Sequence, residues 1–85
     1  MSRKIEITNN IRKLRFFANE MTQQQLAERI GASRQTIVAI EAGKYAPSLE
    51  LAFLIADTFG VEIGEVFGYT MKEANHQNKS NIEEI

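Results

Sequence analysis

The sequence contains no cysteine and no tryptophan, and only one proline and one histidine among its 85 residues. Without cysteine the chain has no disulfide, no thiolate metal site and no cysteine nucleophile, and His76 cannot form a metal cage by itself. The longest uninterrupted apolar run, residues 51–56, is far shorter than the ~20 residues that cross a bilayer, and the N-terminal residues do not read as a signal peptide. We therefore expect a cytoplasmic protein with no metal, no cofactor and no membrane partner.

Net charge is also small, at −1, but the charges are unevenly distributed along the chain. Residues 1–45 carry eight basic and four acidic side chains, whereas residues 46–85 carry two basic and seven acidic ones. This polarity favours one cationic face for a polyanion, and a randomly mixed, solvated surface is the alternative. With 44% hydrophobic and 25% charged residues, the composition is that of one small globular domain.

Capping residues and glycines predict five helices. Asn9 or Asn10 begins the first, which runs to about Asn19, and Thr22 with Gln25 three residues later forms a capping box for the second. Gly31 ends that helix, because glycine takes the positive φ of a sharp exit. The other three are predicted from Ser33 to Ala42, from Leu49 to Phe59 after a Ser48 cap and before Gly60, and from Glu62 to Phe67.

Apolar side chains recur at helical spacing and predict the core. In particular, Phe53 and Phe59 are expected to be core residues and not platforms for stacking bases. The full set of predicted buried positions is Ile11, Leu14, Ala18, Leu26, Ala27, Ile30, Ile37, Ile40, Leu49, Ala52, Phe53, Ala56, Phe59, Ile63, Val66 and Phe67.

Two short segments alternate polar and apolar residues, the pattern of half-buried strands. These are residues 4–8 and residues 67–72, which could pair as a small sheet. We therefore divide the chain into an N-terminal arm (1–8), a helical domain (9–67), a possible C-terminal strand (68–72) and a tail (73–85). The tail has too few apolar residues to offset the entropy of ordering, and we expect it to be flexible.

The second and third helices are short and joined by a glycine turn, which is the arrangement of a helix-turn-helix. Ala27 allows close crossing, and Leu26, Ile30, Ile37 and Ile40 provide the apolar contact between the two helices. At 100° per residue, the opposite face of the third helix holds Arg34, Gln35, Val38 and Ala39. That face is predicted to contact the DNA bases.

Several stretches in order resemble the Xre family, the phage repressor and Cro type of helix-turn-helix. They are Ile-Arg-Lys-Leu-Arg at 11–15, residues 22–37, Ala-Ile-Glu-Ala-Gly-Lys-Tyr at 39–45 and Pro-Ser-Leu-Glu-Leu-Ala at 47–52. The resemblance implies an all-α, five-helix, DNA-binding regulator that dimerises on a palindromic operator, with Arg15 and Glu41 as a structural ion pair. One departure is visible, because six residues separate Arg15 from Thr22, one more than is expected for many members.

Site roles follow from position and chemistry. Arg34 can donate to guanine O6 and N7, Gln35 can pair with adenine, and the Ala39 methyl suits a thymine methyl. Val38 shares this base-reading face. The residues expected to hold phosphates are Gln23, Ser33, Thr36, Lys44 and Tyr45.

The sequence has no arrangement typical of an enzyme, such as paired carboxylates in a cleft, a phosphate loop or a Ser-His-Asp set. We therefore expect a regulator of transcription, most simply a repressor, that binds double-stranded DNA and no small molecule. The alternative is an antitoxin or adaptor that mainly binds protein, since fold alone does not separate these classes. Two DNA half-sites require a dimer, whose interface is predicted at Leu54, Ile63, Val66, Phe67 and Tyr69.

Overall fold

The computed structural model describes residues 4–71, and the predicted tail, 73–85, lies outside them. Five short helices are flanked by one strand at each end. In chain order these are β1 (Ile5–Asn9), α1 (Ile11–Phe17), α2 (Gln23–Ile30), α3 (Arg34–Glu41), α4 (Leu49–Phe59), α5 (Ile63–Val66) and β2 (Phe67–Met71). The predicted five-helix fold with a small terminal sheet is confirmed.

Three helices begin where a hydroxyl satisfies a free backbone donor. Thr22 Oγ1 accepts from the N–H of Gln25 at 3.0 Å, while Gln25 Oε1 accepts from the N–H of Thr22 at 2.8 Å. Ser33 and Ser48 cap α3 and α4 in the same way, each at 3.1 Å. Because these bonds join residues three apart, the starts of α2, α3 and α4 are encoded locally.

The corner between α1 and α2 is built differently. Helix α1 ends at Phe17, before the predicted Asn19, because Asn19 and Glu20 have left-handed φ values of 65° and 58°. The N–H of Met21 then returns to donate to the Arg15 carbonyl at 2.9 Å, and the Met21 side chain is buried. The prediction of a longer first helix is therefore wrong, since two consecutive left-handed residues cannot continue a right-handed helix.

The core lies among all five helices. Its largest fully buried side chains are Ile11, Leu26, Ile37, Ile40, Ile55 and Val66. The predicted burial of Leu49 and Phe53 is wrong, because these side chains are 68% and 53% exposed. Helix α4 instead packs through Ala52, Ile55 and Ala56, and Phe59 is partly buried against the same core.

Strands β1 and β2 pair in antiparallel register. Ile5 lies opposite Met71, Ile7 opposite Tyr69, and Asn9 opposite Phe67, which places these six side chains on one face of the sheet. The inner end is tied to the helices, because the Asn9 side-chain amide donates to the Ile40 carbonyl at 3.1 Å. The side chains at the outer end remain exposed.

None of the helices between residues 4 and 71 has the length and hydrophobicity needed to cross a membrane.

Candidate nucleic-acid interface

Helices α2 and α3 are joined by a tight turn that fixes how α3 is presented. Gly31 has a φ of 74°, and the next N–H, that of Ala32, donates to the Ala27 carbonyl at 2.9 Å. Ile37 and Ile40 of α3 are buried against the core that contains Leu26 of α2. With this face of α3 anchored, its opposite face is directed to solvent.

The four residues predicted to contact bases lie on that solvent face. Arg34 and Gln35, in the first turn, are exposed, Val38 is 39% exposed, and Ala39 is half-buried. The helix therefore presents a guanidinium and a carboxamide at its N-terminal end, followed by two small apolar side chains. These are the groups that suit the major-groove edges of guanine, adenine and thymine.

An ion pair holds α3 to α1. Arg15 Nε and Nη2 donate to the two carboxylate oxygens of Glu41, at 2.7 and 3.0 Å, and the third nitrogen, Nη1, donates to the Met21 carbonyl at 2.8 Å. The two side chains are only 15% and 11% exposed. The structure thus joins the two residues that the family resemblance paired, and a single arginine connects α1, the corner before α2, and α3.

Gln23 extends this network to the exposed face of α3, which is the predicted base-reading face. Its Nε2 donates to Glu41 at 3.2 Å, and its Oε1 accepts from Arg34 Nη2 at 3.5 Å. Sequence reasoning gave Gln23 only a phosphate role and missed this link, because no sequence spacing shows that the first turns of α2 and α3 meet. One hydrogen of the Gln23 amide is left for an outside acceptor.

The other predicted phosphate contacts surround α3. The Ser33 and Thr36 hydroxyls lie 3.0 Å apart and share a hydrogen, while Ser33 also caps the helix. Lys44 and Tyr45 are exposed on the loop after α3. Their flexible donors can reach past the end of the helix, whereas one of the two hydroxyl hydrogens of Ser33 and Thr36 is used between them and the other remains available to an outside acceptor.

The residues predicted at a dimer interface fall into two groups. Leu54 and Tyr69 are 41% and 64% exposed, and Ile63 and Phe67 are half-buried. Val66 is fully buried within the chain, where it completes the core, so its side chain does not reach a surface.

Two further sets of apolar residues are exposed. Ile5, Ile7 and Met71, which the polar–apolar alternation assigned to the strands, are 39–46% exposed on the sheet. The second set was not singled out from the sequence. Phe16 and Phe17 are 61% and 71% exposed on α1. Their signal was two adjacent aromatic residues, of which a helix can turn only one toward the core.

Within residues 4–71 no cluster of histidine, cysteine, aspartate and glutamate could hold a metal ion. What the described chain does present is a braced helix pair with a polar, cationic first turn on its outer helix. The fold and this surface define a helix-turn-helix DNA-binding protein.

Comparison with known proteins identifies the family. Residues 11–66 match the helix-turn-helix family HTH_3, and the chain belongs to it. It is 54% identical over 59 residues to an uncharacterized HTH-type transcriptional regulator of Methanocaldococcus jannaschii, covering 67% of this chain and 89% of that protein. The chain is thus an HTH-type DNA-binding transcriptional regulator and not an enzyme.

Two more distant relatives extend over most of the chain. The cryptic phage CTXphi transcriptional repressor RstR of Vibrio cholerae is 31% identical over 78 residues, which is 92% of this chain and 69% of RstR. The HTH-type transcriptional activator BcrR of Enterococcus faecalis is 34% identical over 83 residues, which is 95% of this chain and 40% of BcrR. One relative is thus named a repressor and the other an activator.

Proposed function

We propose that the protein is a sequence-specific transcriptional repressor that inserts α3 into the major groove of a palindromic operator as a homodimer. The observation that carries this proposal is the division of α3 into two faces. Ile37 and Ile40 are buried, while Arg34 and Gln35 are exposed in the first turn. Occupying an operator next to a promoter excludes polymerase without any sensory or catalytic domain.

Base discrimination rests on the first turn of α3. Arg34 contacts guanine O6 and N7, and Gln35 contacts adenine N6 and N7, each pair contributing ~1–3 kcal/mol of discrimination. Val38 and Ala39 offer apolar surface to thymine methyl groups. In the free protein Arg34 Nη2 lies 3.5 Å from Gln23 Oε1, a contact that supports an orientation of the guanidinium toward the start of α2.

Backbone contacts fix the register of α3 on the duplex. The free N–H groups at the start of α2, together with the spare hydrogen of Gln23, can donate to one phosphate. Lys44 and Tyr45 hold the phosphate beyond the other end of α3, and Ser33 and Thr36 contribute hydroxyls at its start. The Arg15–Glu41 pair supports both contacts by fixing α2 and α3 to α1.

A homodimer is proposed because a single α3 would contact few base pairs and bind DNA weakly. One α3 covers only a few base pairs, and two coupled helices read half-sites about 10 base pairs, or ~34 Å, apart. Leu54 and Tyr69 provide exposed apolar surface for the partner, with Ile63 and Phe67 behind them, and the neighbouring sheet adds Ile5, Ile7 and Met71.

DNA recognition is tested by selecting bound sequences from a random duplex pool and measuring gel shifts with nonspecific competitor. We expect an enriched site with two inverted halves. Retention of all sequences alike would contradict sequence-specific binding. Enrichment of one unrepeated half would contradict the palindrome.

The dimer is tested by sedimentation of the full chain at micromolar concentration. We expect a dimer that Leu54→Lys or Tyr69→Lys converts to monomer, while Glu28→Arg, an exposed charge change on α2, leaves it intact. Monomeric behaviour of the unaltered chain would contradict this part of the proposal.

Repression is separated from activation by placing the selected operator before a reporter gene, where we expect lower expression.

A further inference from the structure

Helix α1 carries two adjacent phenylalanines that are exposed and take no part in the core. Phe16 and Phe17 are adjacent, their ring centroids are 5.2 Å apart with the planes at 79°, and they are 61% and 71% exposed. Helix α1 contributes to the core through Ile11 and Leu14. Two large apolar side chains kept together in water in this way mark a surface that contacts something else.

The pair borders a groove between α1 and α3. Phe16 and Phe17 of α1 line it on one side, and Val38 of α3 and Ala42, just after that helix, line it on the other. An occupant of this groove therefore lies against the base-reading helix.

The charges beside the groove define the chemistry of the occupant. Arg12 and Lys13 line it, and neither has a salt-bridge partner among the described residues. The carboxylate in the groove, Glu41, is already engaged by Arg15 and Gln23. The groove thus offers apolar surface together with uncompensated positive charge, and fits a short segment with apolar anchors and carboxylates.

We propose that the occupant is residues 81–85 of the same chain, Asn-Ile-Glu-Glu-Ile. Ile82 and Ile85 rest on the aromatic pair, and Glu83 and Glu84 face Arg12 and Lys13. This segment contains the only two adjacent carboxylates in the sequence, with an isoleucine on each side. Its charge and its apolar residues both complement the groove.

The segment can reach the groove without strain. Met71 lies opposite Ile5, and Asn9, at the other end of β1, lines the groove. Four strand residues span about 13 Å. Residues 72–81 can extend to roughly 33 Å, and so short a tether gives an effective concentration in the millimolar range.

Docking there opposes DNA binding. The segment covers Val38 and places carboxylates beside the cationic surface, so DNA binds only to the fraction of molecules in which the groove is empty. This consequence rests on the proposed DNA interface, whereas the contact itself does not, and the two are measured separately.

The contact is tested with a spin label. Because the sequence has no cysteine, Ser80→Cys gives one labelling position next to the docking segment. In the full chain we expect the nitroxide to broaden the amide signals of Phe16, Phe17 and Val38 and to leave those of Thr58 and Gly60, at the end of α4, unchanged. Adding Ile82→Ser and Ile85→Ser should restore the broadened signals.

Two outcomes would overturn the contact. Unbroadened signals at Phe16 and Phe17 would show that residues 81–85 do not dock there. A second experiment mixes isotope-labelled unaltered chain with spin-labelled chain that carries no isotope. If the Phe16 and Phe17 signals are broadened as much as in the spin-labelled chain itself, the groove is occupied by a second copy. Matched thermal unfolding of all variants shows that the fold is intact.

The effect on DNA is tested with the same substitutions without the label. If the segment occupies the groove about two-thirds of the time, Ile82→Ser with Ile85→Ser should tighten DNA binding by about threefold. Gln77→Ser with Asn78→Ser, which removes no anchor, should not. Broadening with unchanged affinity would overturn the competition. Absence of DNA binding by every variant would contradict the proposed function and leave the spin-label result standing.

Discussion

The helical body, α1 to α5 (residues 11–66), and the terminal sheet, β1 and β2, contain similar apolar residues but bury them to different extents. In the body, Ile11, Ile37 and Ile55 are completely buried, whereas on the sheet Ile5 and Ile7 remain 46% and 39% exposed. The body is closed because five helices cover one another, while the sheet has two strands and nothing in the described chain over its outer end. An apolar side chain contributes to stability only where another element covers it.

The sheet is held by its attachment to the body. An isolated two-stranded sheet is marginal in water. Here Asn10 donates from its backbone to the Val66 carbonyl at 2.8 Å and from its side chain to the Glu65 carbonyl at 3.1 Å, and Asn9 reaches Ile40. The apolar face of the sheet is therefore held in place by the core and remains exposed.

The largest expected effect comes from making the same substitution, isoleucine to alanine, once in the helical body and once on the sheet. Ile37→Ala should lower the free energy of unfolding by about 3 kcal/mol, because it leaves a cavity in the closed core. Ile7→Ala should cost less than about 1 kcal/mol in the monomer, since its side chain is already partly in water. Urea unfolding at low protein concentration measures both free energies of unfolding. Equal losses would contradict the difference between a covered core and an uncovered sheet.

The Arg15–Glu41 pair gives the next largest effect. Glu41→Ala should lower the free energy of unfolding by about 2–3 kcal/mol, because a mostly buried guanidinium loses its carboxylate. Arg15→Met combined with Glu41→Leu should recover part of that loss. Glu6→Ala on the exposed sheet is the matched control, with an expected change within about 0.5 kcal/mol. A similarly small cost at Glu41 would show that the pair does not brace the body.

Substitutions on the outer face of α3 and in the loop after it should change DNA binding and leave the free energy of unfolding unchanged. Arg34→Ala should lose ~1–3 kcal/mol of preference for the selected operator over other duplexes. Lys44→Ala should weaken binding to all duplexes alike and reduce the salt dependence by about one unit. Fluorescence anisotropy over a salt series measures both quantities. If Arg34→Ala weakened all duplexes equally, Arg34 would be a phosphate contact.

The smallest predicted effects separate two glycines of the body. An added Cβ meets nothing within 4 Å at either Gly60 or Gly64, but only Gly60 has a positive φ, at 69°. Gly60→Ala should therefore cost about 1 kcal/mol, and Gly64→Ala, inside α5, should stabilise by about 0.5 kcal/mol. Thermal unfolding measures both, and a loss at Gly64 would mean that α5 needs its glycine for another reason.

Some features of the fold and site were predictable because their causes are local. Capping hydroxyls at Thr22, Ser33 and Ser48 lie three residues from the N–H groups that they satisfy, and Gly31 and Gly60 end helices through their own φ angles. The spacing of Ile37 and Ile40 also identified which side of α3 faces outward. The sequence alone therefore determined where α2, α3 and α4 begin, the turn of the helix-turn-helix and the exposed face of α3.

The tertiary structure decided what covers each surface. Phe53 has helical spacing from the buried residues of α4 and is still exposed, because periodicity assigns a side chain to a face but does not supply a neighbour for it. The contact of Gln23 with Arg34 depends on how α2 and α3 cross. Alternation predicted that the two terminal segments could pair, but it did not predict the register that places Ile7 opposite Tyr69, at the other end of the domain. These features arise from packing between distant segments, whose relative positions depend on the whole core and on no local sequence pattern.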